Sequence, residues 1–303
     1  MSIQTKASNI DWAQIKQRLA TIEAAPTSRI VRTLKAPIKT GTIVGLRKLG
    51  QSRAVSMPLI WGDRFLGHVP EAVSSVIWRQ GVFEPTTTRY VIDTLKPDDV
   101  FVDIGAHFGY FTLLASRLVG PSGKVVAIEA MTSTFEQLSK NVRHNGLENV
   151  EVHNAAAYSE ATTLTFKDFG LVHSSLNTAF EVRGVLEGKT AKFVSVDVQA
   201  RRADDILAPL QNRRVALIKI DAESSEEFVL QGLSGTLGRS RPDVLLELGG
   251  AQADDLARIE SIVKLLFAQG HHSFRLTDGR LVPVVIDSQV PYDNYIFRHP
   301  DRV

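Results

Sequence analysis

Cysteine is absent from this chain of 303 residues, which excludes a disulfide framework, a thiolate metal site and a cysteine nucleophile. No apolar run reaches the roughly 18 residues of a transmembrane helix. The opening stretch MSIQTKASNIDWAQIKQRLA lacks the uninterrupted apolar core of a secretory signal. Together these absences predict a cytoplasmic protein without a membrane span. Two motifs are missing as well. There is no G-x-G-x-x-G turn of the dinucleotide-binding type, and no Asn/Asp-Pro-Pro-aromatic segment of the kind expected for methylation of nucleobase amino groups. Internal repeats and low-complexity tracts are also lacking.

The charges nearly cancel, with 35 Lys and Arg against 33 Asp and Glu, but they are unevenly spread. Ten of the basic residues and only Asp11 and Glu23 of the acidic ones fall within residues 1–60. A basic segment on a mildly acidic body fits either contact with an anionic surface or packing within the molecule. The periodicity of Trp12, Ile15, Leu19 and Ile22 predicts a helix over 11–24, capped by Asn9 or Asp11. Pro26, Pro37, Gly41, Gly45 and Gly50 read as punctuation. Residues 55–69 predict a hairpin turning at Gly62-Asp63, and 70–95 predict helices interrupted at Gly81 and Pro85.

From Val100 onward strands alternate with helices. The strands are expected at 100–104, 125–129, 150–154, 162–167, 192–198, 215–220, 243–248, 273–277 and 294–298. Helices are expected at 108–119, 132–145, 201–210, 224–238 and 252–269. Such alternation predicts an α/β fold with a doubly wound, Rossmann-like sheet. That sheet is expected to be mostly parallel, with an antiparallel C-terminal strand and an antiparallel insertion formed by 162–167 and 192–198. The expected division is a mainly helical N-terminal extension over 1–80, acting as a lid or homodimer contact, and a catalytic domain over 81–303.

The first strand ends in Asp103 and runs into Ile104, Gly105, Ala106, His107, Phe108 and Gly109. Gly105 permits a sharp turn, and Gly109 lets the next helix lie close to the strand. Free N–H groups at that helix start would face a polar ligand. His107 stands where a dinucleotide fold has its middle glycine, and Asp103 would repel a phosphate but suit an ammonium group. Glu129 ends the next strand, 26 residues after Asp103, where it can accept two ribose hydroxyls. Asp103, Gly105, Ala106, His107, Gly109 and Glu129 therefore fit S-adenosylmethionine, which carries a sulfonium, an amino-acid tail and no phosphate. Asn154 and Ala155, at the end of the third strand, are expected to frame the adenine.

Two later segments make the pattern specific. VALIKIDAESSEEFVLQGL ends a strand in Asp221, with Glu223 and Glu226 beyond it, and PDVLLELGG ends another in Glu247. With GVFEPTTTRYVIDTLKPDDVFVDIGAH before them, they resemble the FkbM-like family of S-adenosylmethionine-dependent methyltransferases over roughly residues 80–298. The family's D-x-G-A-x-x-G turn corresponds to Asp103–Gly109. Its I-K-I-D-x-E-G-x-E segment corresponds to Ile218–Glu226, followed by Val229, Leu230 and Gly232. Ser224 replaces the usual glycine, so the turn is expected to differ there. The resemblance implies O-methylation of a hydroxyl on a sugar or other small natural product.

Hydroxyl methylation calls for proton removal, and two schemes compete. In one, Asp221 with Glu247 or Glu223 binds Mg²⁺, which acidifies a diol. In the other, His173 is the base, with His107 as second choice. Ser174 and Ser175 are candidates for substrate or methionine contacts. Trp61, Trp78 and Phe83 are candidates for an aromatic wall. The partner expected is a small-molecule or glycan acceptor. The alternatives are a nucleic-acid methyltransferase using the basic segment, an NAD-dependent oxidoreductase and a non-catalytic binding module.

Overall fold

The computed structural model describes residues 10–24, 36–176, 193–222, 224–249, 253–277, 279–286 and 291–302. Helix α1 (Trp12–Glu23) starts where Asp11 accepts a hydrogen bond from the Gln14 amide at 2.9 Å. It buries Ile15 and Leu19. Helix α2 (Pro37–Leu49) follows, and here the reading of its glycines as breaks is corrected: Gly41 and Gly45 lie inside it. Pro37 sits in the first turn, where its missing N–H costs nothing. Only Gly50, left-handed at φ 61°, ends the helix.

Strands β1 (Arg53–Pro58) and β2 (Arg64–Val69) form the expected antiparallel hairpin. Helices α3 (Ala72–Gln80) and α4 (Pro85–Thr94) follow, separated at Gly81. Contacts run from this N-terminal region into the main body across residue 80. Met57, Leu59, Trp61 and Phe65 share a core with Phe108, Tyr110 and Leu113. Buried Arg117 donates to Asp63 at 2.8 Å, and the Trp61 indole donates to the same carboxylate at 2.9 Å. Asn141 clasps the backbone of Leu66 through both ends of its amide.

The main sheet takes strand β3 (Val100–Ile104), helix α5 (Tyr110–Val119), β4 (Lys124–Glu129), α6 (Thr132–His144) and β5 (Val150–Asn154). Next come the short β6 (Ala156–Tyr158), β7 (Thr162–Asp168) and β8 (Val194–Arg202). These three make a separate sheet in the order β6-β8-β7, with β7 and β8 antiparallel as expected. Helix α7 (Ala203–Leu207) leads to β9 (Val215–Ile220). The single helix expected over 224–238 is two short ones, α8 (Glu226–Gly232) and α9 (Ser234–Ser240), which meet at Leu233. Then follow β10 (Asp243–Leu248), α10 (Ala253–Ala268), β11 (His272–Thr277), β12 (Arg280–Pro283) and β13 (Asp293–Arg298).

The eight-stranded sheet has the order β12-β11-β13-β10-β9-β3-β4-β5. Pairing is parallel from β10 through β5 and antiparallel where β13 meets β10. Strands β3 and β9 are buried along their whole length, as parallel strands covered on both faces should be. The chain winds outward from β3 through β4 and β5 on one side, then returns to β9 and β10 on the other. That reversal makes the carboxyl end of β3 a topological switch point, the place where such sheets bind ligands. Among the described residues no helix is long and apolar enough to cross a membrane.

Candidate functional site

A cleft of about 290 Å³ opens at that switch point, lined by Asp103 through His107, Glu129, Lys219, Asp221 and Glu247 among others. Gly105, at φ 72°, turns the chain there. A β-carbon on it would collide with the Asp221 carbonyl, because the Asp221 amide donates to the Ile104 carbonyl at 3.0 Å and locks β9 beside β3. Gly109, at φ 88°, lies against Leu138 of α6. His107 adopts φ 51°, a conformation disfavoured for a side chain with a β-carbon. Three contacts hold it: its ring lies 4.1 Å from that of Phe108, its Nε2 is 2.7 Å from Ser174 Oγ, and its amide donates to Glu129.

The expected free amides at the turn are not found at four positions. Gly105 and Ala106 donate to the Ile128 carbonyl, Gly109 to the Ala106 carbonyl, and His107 to Glu129 Oε2 at 2.9 Å. A backbone already satisfied in this way offers little to a pyrophosphate.

Glu129 is buried, and each carboxylate oxygen accepts one backbone N–H, from His107 and from Met131. Each oxygen keeps a second lone pair for a ligand hydroxyl. Burial pushes its pKa up to about 7, against the pull of those two N–H donors. Asp103 is 1% exposed. Its Oδ2 accepts from Thr112 at 2.6 Å, while its Oδ1 is buried with no partner. Burial raises the Asp103 pKa, and Lys219 opposes that rise. An orphaned carboxylate oxygen in a binding cleft calls for a cationic or hydrogen-bonding ligand.

On the neighbouring strand β9, in register with Asp103, Lys219 donates to Asp221 at 2.9 Å and its ammonium lies 5.3 Å from the centre of the Phe111 ring. Burial alone would push the lysine pKa down, but Asp221, Asp103 and Glu84 together outweigh it and raise it. Glu247, at the end of β10, is carried up to about 7 by burial first and by Asp221 second. The lysine in I-K-I-D was visible as a lone cation in an apolar strand, a residue type almost never buried without a partner. Glu84 also lines the cleft, and only its place in the lead-in segment hinted at it.

Other expected site residues fall elsewhere. His173 is exposed on the 3₁₀ turn Leu171–Leu176 and does not line the cleft, whereas its neighbour Ser174 does. Asn154 does not line the cleft either. Its amide donates to the carbonyls of Glu129 and Ala130 and its oxygen accepts from Thr132, so it braces the end of β4. Ala155 does line the cleft, but its own amide is spent on the Glu129 carbonyl. Of the aromatic candidates only Phe83 lines it, while Trp61 is buried against Tyr110. Ser224 stands at φ 79°, so it keeps the left-handed backbone that a glycine there would favour. Glu223 and the Ser175 side chain lie outside the described residues.

Nothing among the described residues supports Mg²⁺ at Asp221 and Glu247. Among the described residues no group of three or more His, Asp or Glu is arranged to hold a metal ion, and the Lys219 ammonium already occupies the position beside Asp221.

A family model of the methyltransferase FkbM domain matches residues 103–274, from the acid of the first turn to β11. The chain belongs to this FkbM methyltransferase family. Its similarity to individual relatives is modest. It is 28% identical over 176 residues to "Methyltransferase 1" of Beauveria bassiana, covering 52% of this chain and 68% of that protein. It is 26% identical to the 31-O-demethyl-FK506 methyltransferase FkbM of Streptomyces tacrolimicus, covering 55% of this chain and 72% of that one. It is 23% identical to the hexuronic acid methyltransferase AglP of Haloferax volcanii, over 60% and 70% of the two chains. A solved FkbM methyltransferase from Methylobacillus flagellatus KT superposes with a TM-score of 0.42 at 14% identity, covering 70% of this chain and 50% of that one.

Proposed function

We propose that this FkbM-family chain transfers a methyl group from S-adenosylmethionine to a hydroxyl of a sugar or other small polyhydroxylated molecule. The observation that carries the reading is the pairing, in one cleft, of an unpartnered buried oxygen on Asp103 with a glutamate, Glu247, whose pKa is raised to about 7. Asp103 suits the ammonium of the donor's amino-acid tail, and Glu129 suits its ribose hydroxyls. Apolar Ile128, Met131 and Ala155 suit its adenine. Bound there, S-adenosylmethionine supplies an electrophilic methyl group on a sulfonium leaving group.

What the chain itself must contribute is alignment and a proton acceptor. A carboxylate near pKa 7 is matched to that task at neutral pH, whereas one at its ordinary value of 4.5 would be a much weaker base. As the acceptor oxygen gains its methyl group, its O–H proton passes to Glu247. Glu247 takes this role in place of exposed His173. The cleft is lined by carboxylates with Lys219 as their cation among the described lining residues, which disfavours a nucleic-acid phosphate backbone. The spent amides at Gly105 to His107 likewise disfavour NAD. Two relatives are named for methylation of FK506 oxygen and of hexuronic acid, which supports a small hydroxylated acceptor here. The test is incubation of the full chain with methyl-labelled S-adenosylmethionine and a panel of hydroxylated acceptors. The reading expects alkali-stable label on oxygen, and label on nitrogen or carbon only would overturn it.

A further inference from the structure

Glu84 lies upstream of the family match and has no assigned role, yet it has several unusual features. It is a glutamate at φ 39°, ψ 73°, a left-handed backbone that bulky residues seldom adopt. Such strain persists only where surrounding structure enforces it, and it concentrates at functional sites. Although Glu84 occupies the position before α4, its side chain does not cap that helix. Instead it turns to the cleft, which it lines.

The hydrogen bonds around it fix its role as an acceptor. Asn294, on β13, donates its amide to Glu84 Oε2 at 3.0 Å and to Thr87 Oγ1 at 3.1 Å. Since the Thr87 oxygen is receiving that bond, its own proton is free to point to Glu84, to which it also bonds. Two donors therefore converge on the Glu84 carboxyl group, which accepts from both. Asn294 is in turn held in register opposite Glu247 by the β10–β13 pairing. The antiparallel strand β13, next to β10 in the sheet, thus places Glu84 near the proposed base. Burial pushes the Glu84 pKa up, Lys219 draws it back, and Asp221 adds to the rise.

Resting on the proposed hydroxyl methylation, we propose that Glu84 is a specificity residue of the acceptor subsite. Its carboxylate accepts a hydrogen bond from a hydroxyl neighbouring the one that is methylated. The substrate class this selects is a vicinal diol or other polyol that is neutral or cationic. An anionic group at the neighbouring position would meet Glu84 and Glu247 without a free cation among the described lining residues to receive it. A donor facing a buried charged acceptor is discriminated strongly from an analogue lacking it, because the acceptor is then left unpaired.

The experiment uses the full chain, labelled S-adenosylmethionine and a panel of methyl glycosides: neutral hexosides, their singly deoxygenated forms, amino hexosides and uronides. Wild type and Glu84→Gln are compared for kcat/KM, for S-adenosylhomocysteine affinity by calorimetry and for Tm. The expected result is a loss of about 10- to 100-fold in kcat/KM for the variant, the range for one hydrogen bond to a charged group. Its S-adenosylhomocysteine affinity should be unchanged and its Tm should not fall, since burial disfavours the charge that the substitution removes. The wild-type preference for an intact diol over the matching deoxy glycoside should collapse in the variant. A variant that keeps both activity and preference overturns the inference alone. A variant whose Tm or S-adenosylhomocysteine affinity falls instead overturns it too, by making Glu84 a structural or cofactor residue. If wild type methylates no glycoside of the panel, the sugar-hydroxyl reading fails and this inference with it.

Discussion

Replacing Asp103 by asparagine should stabilise the empty protein and cripple cofactor binding at once. The carboxylate is 1% exposed, and one of its oxygens accepts from Thr112 while the other has no partner. Its pKa is raised above the ordinary 3.8, chiefly by burial. A carboxyl with a raised folded-state pKa supports the fold fully when protonated, below the unfolded value. That support is lost as pH rises through the folded value. Above the folded value the wild type therefore carries an ionised group that the fold disfavours, even with Lys219 nearby. Each tenfold displacement of the carboxyl's ionisation equilibrium by burial is worth about 1.4 kcal/mol, and each kcal/mol moves Tm by about 2–4 °C in chains somewhat smaller than this. Asp103→Asn should raise Tm at pH 8 by several degrees, with the gap closing as pH falls toward 3.8. Binding should move the other way. Truncating one member of a buried charge pair costs at least about 2 kcal/mol, or roughly 30-fold in Kd. Differential scanning calorimetry and titration with S-adenosylhomocysteine measure both. A variant that melts lower at every pH and binds S-adenosylhomocysteine as well as wild type would refute the reasoning, since Asp103 would then be structural.

Three further outcomes are expected. Gly105→Ala forces a β-carbon into the Asp221 carbonyl at a positive φ, a conformation that alone costs roughly 1–2 kcal/mol. It should lower Tm and abolish S-adenosylhomocysteine binding, and wild-type titration heats would contradict this. With S-adenosylmethionine saturating, so that Glu129, also near 7, stays engaged by the donor, the pH dependence of kcat/KM for the acceptor should rise with unit slope to a plateau above about 7, following ionisation of Glu247. Glu247→Gln should lose that limb, whereas a limb retained in the variant would place the base elsewhere. Arg117→Ala leaves Asp63 buried without its guanidinium partner. It should cost about 3–5 kcal/mol, seen as one cooperative melt at lower temperature, and an unchanged Tm would show that the hairpin is not anchored through this pair.

Much of the fold was readable because its strands are simple. The apolar runs ending in Asp103 and Asp221 are buried throughout, so their limits follow from composition alone. The hairpin at Gly62-Asp63 and the breaks at Gly81 and Pro85 follow from local turn chemistry. Helix α2 was hidden because Gly41 and Gly45 look like breaks, yet a β-carbon on either would meet nothing within 4 Å, so neither marks a turn or close approach, and Ile43 between them is buried. Tertiary burial outweighs weak propensity there. The cofactor side of the site was legible because Asp103, Gly105 and Glu129 lie on consecutive elements. The acceptor side was not. Glu84 depends on Asn294, 210 residues away, and no spacing in a single sequence encodes that pair. His173 and Ser174 are adjacent, so which one faces the cleft is set by the geometry of a 3₁₀ turn. Periodicity does not reveal it.

On this proposal the cleft at the end of β3 holds an adenosyl donor and not a redox dinucleotide. Titration calorimetry of the full chain with S-adenosylhomocysteine and, separately, with NAD⁺ tests it most directly. Saturable binding of S-adenosylhomocysteine at one site per chain is expected, lost in Glu129→Ala, with no heat from NAD⁺. Saturable binding of NAD⁺, or S-adenosylhomocysteine heats unaltered by Glu129→Ala, would contradict it.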